Sequence, residues 1–143
     1  MRKRYGLGVI PHYTDANHPV VERLRNAGPG VRVLDVAWTP EEVAREIASC
    51  EAVISSSLHG LIFADSLGVP NMHMRLSDKV RGGLFKFQDY YSIYDGPDRY
   101  CQLGAEQVAG ASSGELERIV HEKYTAPEGL ERLQKALIRA LPA

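Results

Sequence analysis

The sequence has few cysteines and lacks a long apolar run. Its two cysteines, Cys50 and Cys101, lie far apart, without the spacing of a disulfide framework or a metal site. We therefore expect a reduced, cytoplasmic chain in which both thiols act as small apolar side chains. No apolar run is long enough to span a bilayer or resembles a signal peptide, so we expect no integral membrane segment.

An excess of charge of one sign is also lacking. The 17 Lys and Arg residues nearly balance the 18 Asp and Glu residues, giving a formal net charge of −1. We therefore expect no nucleic-acid partner. The five histidines are not clustered as metal ligands usually are, so no metal site is predicted. With 143 residues and 44% hydrophobic content, the chain suits one domain with its own core, covering residues 1–143.

Apolar runs alternate with helical patterns along most of the chain. Strands are predicted at residues 5–10, 31–36, 52–54 and 71–74, and helices begin at Pro19, after the Thr39 cap, after Ser57, after Ser112 and after Thr125. Residues 96–110 are rich in turn residues and receive no assignment. Strands that alternate with helices predict an α/β domain whose parallel sheet is covered on both faces.

The rest of the chain is organised around residues 52–68. An apolar run, Ala52 to Ile54, is followed by three serines and by Leu58-His59-Gly60, and the helical pattern then continues to Gly68. A tight strand-to-helix turn of this kind presents hydroxyls, free helix N–H groups and an imidazole at one point. Such a point can bind an anion. The alternative is that a serine caps the helix and His59 packs locally.

A second polar segment, Pro11-His12-Tyr13-Thr14-Asp15, follows the first predicted strand. Open α/β sheets bind ligands at this end of their strands, so His12 is a candidate ligand contact, with an exposed loop histidine as the alternative. Tyr13 and Asp15 are placed in the crevice by their loop position alone. There is no glycine-rich pyrophosphate loop here, which argues against nucleotide binding.

Three further polar or aromatic features have structural interpretations. His73, on a predicted strand, is expected to be structural. Asp65, between apolar helix positions, is expected to make a structural hydrogen bond to a neighbouring loop. Residues 84–95 concentrate aromatics and predict a helix-like core stripe, with Lys86 and Asp89 as exposed neighbours.

Three blocks, in matching order, resemble the C-terminal half of the polysaccharide pyruvyltransferase family, in particular its exopolysaccharide members. They are residues 55–70, which begin Ser-Ser-Ser-Leu-His-Gly, residues 10–13 and residues 85–92. Members transfer the enolpyruvyl carbons of phosphoenolpyruvate onto two sugar hydroxyls, giving a pyruvate ketal and phosphate. The family resembles GT-B glycosyltransferases, which implies a Rossmann-like three-layer domain with a short parallel sheet in the order 2-1-3-4.

The resemblance also implies roles for individual residues. His59 is the expected catalytic residue, and the expected substrate-binding residues are His12, Ser56, Ser57, Leu58, Gly60 and Lys86. Some members have an arginine where this chain has Ser57, so another cation must balance the phosphate; Lys86 and Arg75 are the nearest candidates in sequence. The chemistry needs neither a metal nor a cofactor beyond the donor substrate.

The resemblance covers only the donor-binding half, so we expect the N-terminal acceptor domain to be absent from the chain. The expected partners are phosphoenolpyruvate and a sugar or lipid-linked oligosaccharide acceptor, together with a second copy of the chain or a partner acceptor domain. The expected location is cytoplasmic, at the inner face of the membrane. Whether the half is active by itself is left open.

The sequence is also compatible with two other functions. One is a glycosyltransferase-like domain that binds a nucleotide sugar, which would prefer UDP to phosphoenolpyruvate. The other is a non-catalytic interaction domain that uses residues 85–94 as its partner surface. Buried aromatics together with an occluded Ser-Leu-His turn would favour the interaction domain.

Overall fold

A computed structural model describes residues 3–35, 37–76, 86–87, 90–91 and 102–126. The strands are β1 (Tyr5–Ile10), β2 (Val31–Val33), β3 (Cys50–Ser55), β4 (Asn71–Arg75) and β5 (Gln102–Gly104). The helices are α1 (Pro19–Arg25), α2 (Pro40–Ala48), α3 (Leu58–Ser66), α4 (Ala105–Ala109) and α5 (Ser113–Lys123), with a 3-10 turn at Tyr13–Asp15. The last predicted helix, after Thr125, lies almost entirely outside the described residues.

The five strands form one parallel sheet in the order β2-β1-β3-β4-β5. The predicted α/β class and the order of the first four strands are therefore confirmed. Strand β5 and helix α4 lie in the region that received no assignment. The prediction of β2 was too long: it ends at Val33, and the Asp35 side chain then accepts a hydrogen bond from the Ala37 N–H at 2.8 Å, forming a turn.

Helices cover both faces of the sheet, so the domain has three layers. On one face, α1, α4 and α5 pack on β-strand residues such as Leu7, Val9 and Ile54. On the other face, α2 and α3 pack on residues that include Ile10 and Val53. The alternation of these strand residues between the two cores is what a sheet buried on both sides requires.

Local signals explain where the helices begin and end. Thr39 and Glu42 form a capping box at the start of α2, and the Ser112 hydroxyl caps α5. Gly68 follows α3 with a φ of +70°, a left-handed conformation that glycine adopts without strain. None of the helices in the described part of the chain is long and apolar enough to cross a bilayer.

The described part of the aromatic segment packs on α3. Phe87, Tyr90 and Tyr91 are all buried. Phe87 contacts Leu61, whereas the two tyrosines pack with Ile62. The predicted core stripe is confirmed for these three aromatics; Phe85, Asp89 and Tyr94 lie outside the described residues.

Candidate functional site

The two polar segments predicted to share a crevice do meet at the point where the strand order reverses. The His12 N–H donates to the Ser56 hydroxyl at 2.8 Å, which joins the loop after β1 to the turn after β3. Ser56 is buried, whereas His12 is half-buried. This is the crevice in which parallel α/β sheets bind ligands.

Ser55, which the sequence did not single out, fixes the turn before α3. Its hydroxyl lies 2.9 Å from the Ile10 carbonyl and 2.8 Å from the Ser57 carbonyl, and it accepts from the Ser57 N–H at 3.0 Å. A Cβ at Gly60 would lie 2.5 Å from the Ser55 Oγ, so α3 approaches this hydroxyl too closely for any other residue at that position. The backbone of the turn is therefore rigidly held.

The start of α3 leaves backbone donors available. Ser57 precedes the helix, and its side chain makes no capping hydrogen bond, which argues against the alternative in which a serine caps the helix. The N–H groups of Leu58, His59 and Gly60 have no acceptor within the helix by its geometry. Together with the positive end of the helix dipole, they form a suitable anion site.

A pocket of about 370 Å³ opens in front of this helix end, and we call it the His59 pocket. Four of the predicted site residues line it: His12, Ser57, His59 and Gly60. The imidazole of His59 is exposed rather than packed locally. The side chain of Leu58, another of the seven predicted site residues, packs on the buried aromatics Phe87, Tyr90 and Tyr91, so its backbone rather than its side chain is available to a ligand.

Lys86 and His59 both act electrostatically on His12. Burial lowers the pKa of the His12 imidazole below its usual 6.5; the Lys86 ammonium and His59 lower it further, and Asp15 opposes them. Of the two cations suggested by the sequence, Lys86 is the one that acts on His12. Arg75 acts instead on His73. Lys86 therefore lies near enough to His12 to influence its charge.

The two residues predicted to be structural have structural roles. His73 is buried and stacks on the Phe87 ring, with 3.9 Å between ring centroids. Asp65 is buried and accepts from Tyr90 at 2.6 Å and from Tyr124 at 3.0 Å. Through these contacts, β4 and α3 hold the segment that carries Lys86.

The criterion for a non-catalytic interaction domain is met only in part. The described aromatics of residues 85–94 are buried, as that function would require. However, His59 is exposed and lines an open pocket, so the Ser-Leu-His turn is not occluded. Within the described residues, no group of three or more His, Cys, Asp or Glu side chains could hold a metal ion.

Comparison with known proteins gives one family match. The family described as polysaccharide pyruvyl transferase matches residues 3–78, just over half of the chain. This range contains the sheet from β1 to β4, the loop with His12 and the turn with His59.

Two curated proteins are similar over part of their length. An uncharacterized protein, L143, of Acanthamoeba polyphaga mimivirus is 35% identical over 107 residues, which cover 69% of this chain and 37% of that protein. The succinoglycan biosynthesis protein ExoV of Rhizobium meliloti is 28% identical over 90 residues, which cover 63% of this chain and 28% of that protein. The chain thus matches only about a third of the length of these relatives.

Among solved structures, the glycosyltransferase SnogD from Streptomyces nogalater superposes with a TM-score of 0.41 at 18% identity. The match covers 96% of this chain and 44% of that one.

Proposed function

Because the chain belongs to the polysaccharide pyruvyl transferase family, we propose that it forms the donor-binding half of an enzyme that transfers pyruvate from phosphoenolpyruvate to a sugar. The acceptor in this proposal is a sugar of a cell-surface or exopolysaccharide. The observation that carries the proposal is the uncapped start of α3, which faces a pocket shared with His12 and His59.

The phosphate of the donor is assigned to the N–H groups of Leu58, His59 and Gly60. A phosphate there gains charge-assisted hydrogen bonds from fixed donors and needs no proton transfer to be stabilised. The Ser55 contacts support this assignment, because they hold the turn in one conformation before the ligand arrives. Preorganised donors of this kind also stabilise the phosphate as it leaves.

Lys86 is assigned as the cation that balances the ligand. It is half-buried, acts on the pKa of His12 and belongs to a segment packed on α3. A phosphate bound between His12 and Lys86 would reverse the electrostatic effect on the imidazole and raise the pKa of His12. With Lys86 in this role, the site does not need the arginine that some family members have at the position of the uncharged Ser57.

The reaction balances with these groups alone. Two sugar oxygens form bonds to the second carbon of phosphoenolpyruvate, and the bond from that carbon to the phosphate oxygen breaks. The two sugar hydroxyls release two protons. One is balanced by the proton added to the vinyl carbon, which becomes a methyl group, and the other leaves with the phosphate. We assign proton delivery to His59, because its imidazole lines the pocket beside the proposed phosphate site and can act as a general acid.

Calorimetry with phosphoenolpyruvate tests the proposal on the intact chain. We expect saturable binding, weakened about tenfold to 150-fold by His59→Gln, since hydrogen bonds to charged groups contribute ~1.5–3 kcal/mol. Lys86→Gln should weaken binding by a similar factor. Matched controls are His121→Gln and Lys123→Gln, both exposed on α5, which should bind as the unmodified chain does.

Two outcomes would overturn the proposal. One is binding of phosphoenolpyruvate that is unchanged in His59→Gln and in Lys86→Gln. The other is a clear preference for UDP over phosphoenolpyruvate in competition, which would instead support a domain that binds nucleotide sugars.

A further inference from the structure

A second pocket adjoins the His59 pocket at the end of β2. It has a volume of about 250 Å³, and Asp35 and Arg25 line it, so we call it the Asp35 pocket. Two aromatic side chains, Tyr13 and Trp38, line both pockets and form the wall between them. None of the four side chains of Tyr13, Arg25, Asp35 and Trp38 has an assigned role in binding the donor, although Tyr13 and Trp38 line its pocket.

The aromatic wall is held in place from behind. The Arg32 guanidinium lies 5.2 Å from the centre of the Trp38 ring, and Glu46 pairs with Arg32 at 3.4 Å. On the other side, the Tyr13 and His12 rings have centroids 4.4 Å apart. Tyr13 therefore contacts His12, a residue of the proposed donor site.

Tyr13 is much more exposed than an aromatic ring of this size usually is. The residue is 72% exposed, although Pro11 and Asp15 of the same loop are buried. The Tyr13 ring lines both pockets, and ligand pockets are typically lined by aromatic side chains together with a few polar groups. The apolar faces of pyranose rings pack on such aromatic surfaces.

The polar groups of the Asp35 pocket suit a ligand with several hydroxyls. Asp35 is exposed, and one of its oxygens accepts from the Ala37 N–H at 2.8 Å. A carboxylate has about four acceptor positions, so capacity remains for two neighbouring hydroxyls. Arg25 also lines the pocket; its Nε–H donates to Glu22 at 3.3 Å and one terminal N–H reaches the Ala16 carbonyl at 3.4 Å, and its other terminal N–H groups are the donors for a ligand.

We propose that the Asp35 pocket is a saccharide subsite, in which Tyr13 and Trp38 pack on a pyranose ring and Asp35 accepts its hydroxyls. The volume is below the roughly 300–1,000 Å³ of pockets for drug-sized ligands, which suits a single ring. This inference rests on the proposed function: the sugar held here is the part of the acceptor that contacts the donor-binding half itself, next to the donor across the aromatic wall, and the rest of the acceptor is left to the acceptor domain.

The single tryptophan makes the subsite directly observable. Trp38 is the only tryptophan of the chain, so its fluorescence reports on the wall without labelling. We titrate the intact chain with methyl β-D-glucopyranoside and methyl β-D-galactopyranoside. A saturable change is expected with at least one of them, and Tyr13→Ala and Asp35→Asn should each weaken that binding about tenfold.

Matched controls separate the subsite from general effects on folding. Leu67→Ala removes another exposed apolar side chain and Glu51→Gln another exposed carboxylate; both should bind the glycoside normally. Circular dichroism checks that each variant is folded. His59→Gln should weaken phosphoenolpyruvate binding but not glycoside binding, and Asp35→Asn should do the reverse, so the failure of one proposal is distinguishable from the failure of the other.

Three results would overturn the subsite. The first is no saturable change with either glycoside. The second is equal weakening in the control variants. The third is binding of UDP that depends on Asp35 while neither glycoside binds, which would assign the pocket to the ribose of a nucleotide.

Discussion

Replacing Asp65 with alanine is expected to lower the free energy of unfolding by about 3 kcal/mol or more. The Asp65 carboxylate accepts hydrogen bonds from the Asn71 amide at 2.7 Å, from the Tyr90 hydroxyl at 2.6 Å and from the Tyr124 hydroxyl at 3.0 Å. Asn71 and Tyr90 are both buried. Without the carboxylate, the Tyr90 hydroxyl and one N–H of the Asn71 amide each lose this acceptor, and a buried unsatisfied group costs about 1–3 kcal/mol; the Asn71 amide keeps its bond to the Val69 carbonyl.

Urea denaturation at neutral pH measures this loss, with Glu51→Ala as the control for removal of an exposed carboxylate. Asp65→Asn should be less destabilising than Asp65→Ala, since the amide keeps one acceptor oxygen. We also expect Asp65→Ala to weaken phosphoenolpyruvate binding, because Tyr90 tethers the segment that carries Lys86. A loss below about 0.5 kcal/mol, the size of an ordinary surface substitution, would contradict the structural role of Asp65.

Because of His73, the free energy of unfolding is expected to decrease as the pH is lowered below neutral. Burial lowers the pKa of His73 from 6.5 to about 4, and Arg75 and Lys86 also lower it, whereas Asp15 opposes them. Below the ordinary value of 6.5 the unfolded chain therefore binds a proton that the folded chain excludes. The contribution of neutral His73 to stability is therefore complete above pH 6.5 and is lost progressively as the pH falls from 6.5 to about 4.

The difference between the unmodified chain and His73→Gln isolates this effect from that of other titrating groups. Between about pH 7 and about pH 5, the free energy of unfolding of the unmodified chain should decrease. This decrease should be roughly 2 kcal/mol larger than the decrease in His73→Gln. Urea unfolding curves at the two pH values measure it. His121→Gln, an exposed histidine on α5, should keep the pH dependence of the unmodified chain. Equal pH dependence in His73→Gln would show that His73 is not the group responsible.

The strands of the sheet centre could be predicted because their residues are apolar on both faces. β1 and β3 have this pattern, whereas β4 has Met72 and Met74 on one face and the polar Asn71 and His73 on the other. The order of the first four strands followed from the family resemblance. β5 could not be found in the same way: it has three residues, of which Leu103 alone is buried. β2 was predicted too long because Val36 continues its apolar pattern, whereas the Asp35 side chain ends the strand by bonding to the Ala37 backbone.

The candidate site was predictable where it depends on the ends of neighbouring parallel strands. His12 and the turn with Ser56 meet for that reason, and their hydrogen bond follows from the topology. Ser55 was missed, because its role as a brace depends on the Ile10 carbonyl, 45 residues away in sequence. Trp38 was missed for the same reason: no periodic pattern indicates that it shares a wall with Tyr13.

The most direct test of the central claim maps phosphoenolpyruvate onto the backbone amides by two-dimensional NMR. The account predicts that increasing phosphoenolpyruvate shifts the amide signals of Leu58, His59 and Gly60 saturably, with His12 following the same binding curve. The amides of α5, on the opposite face of the sheet, should stay unchanged. Saturable shifts elsewhere, with none at the start of α3, would contradict the assignment of this helix end as the phosphate site.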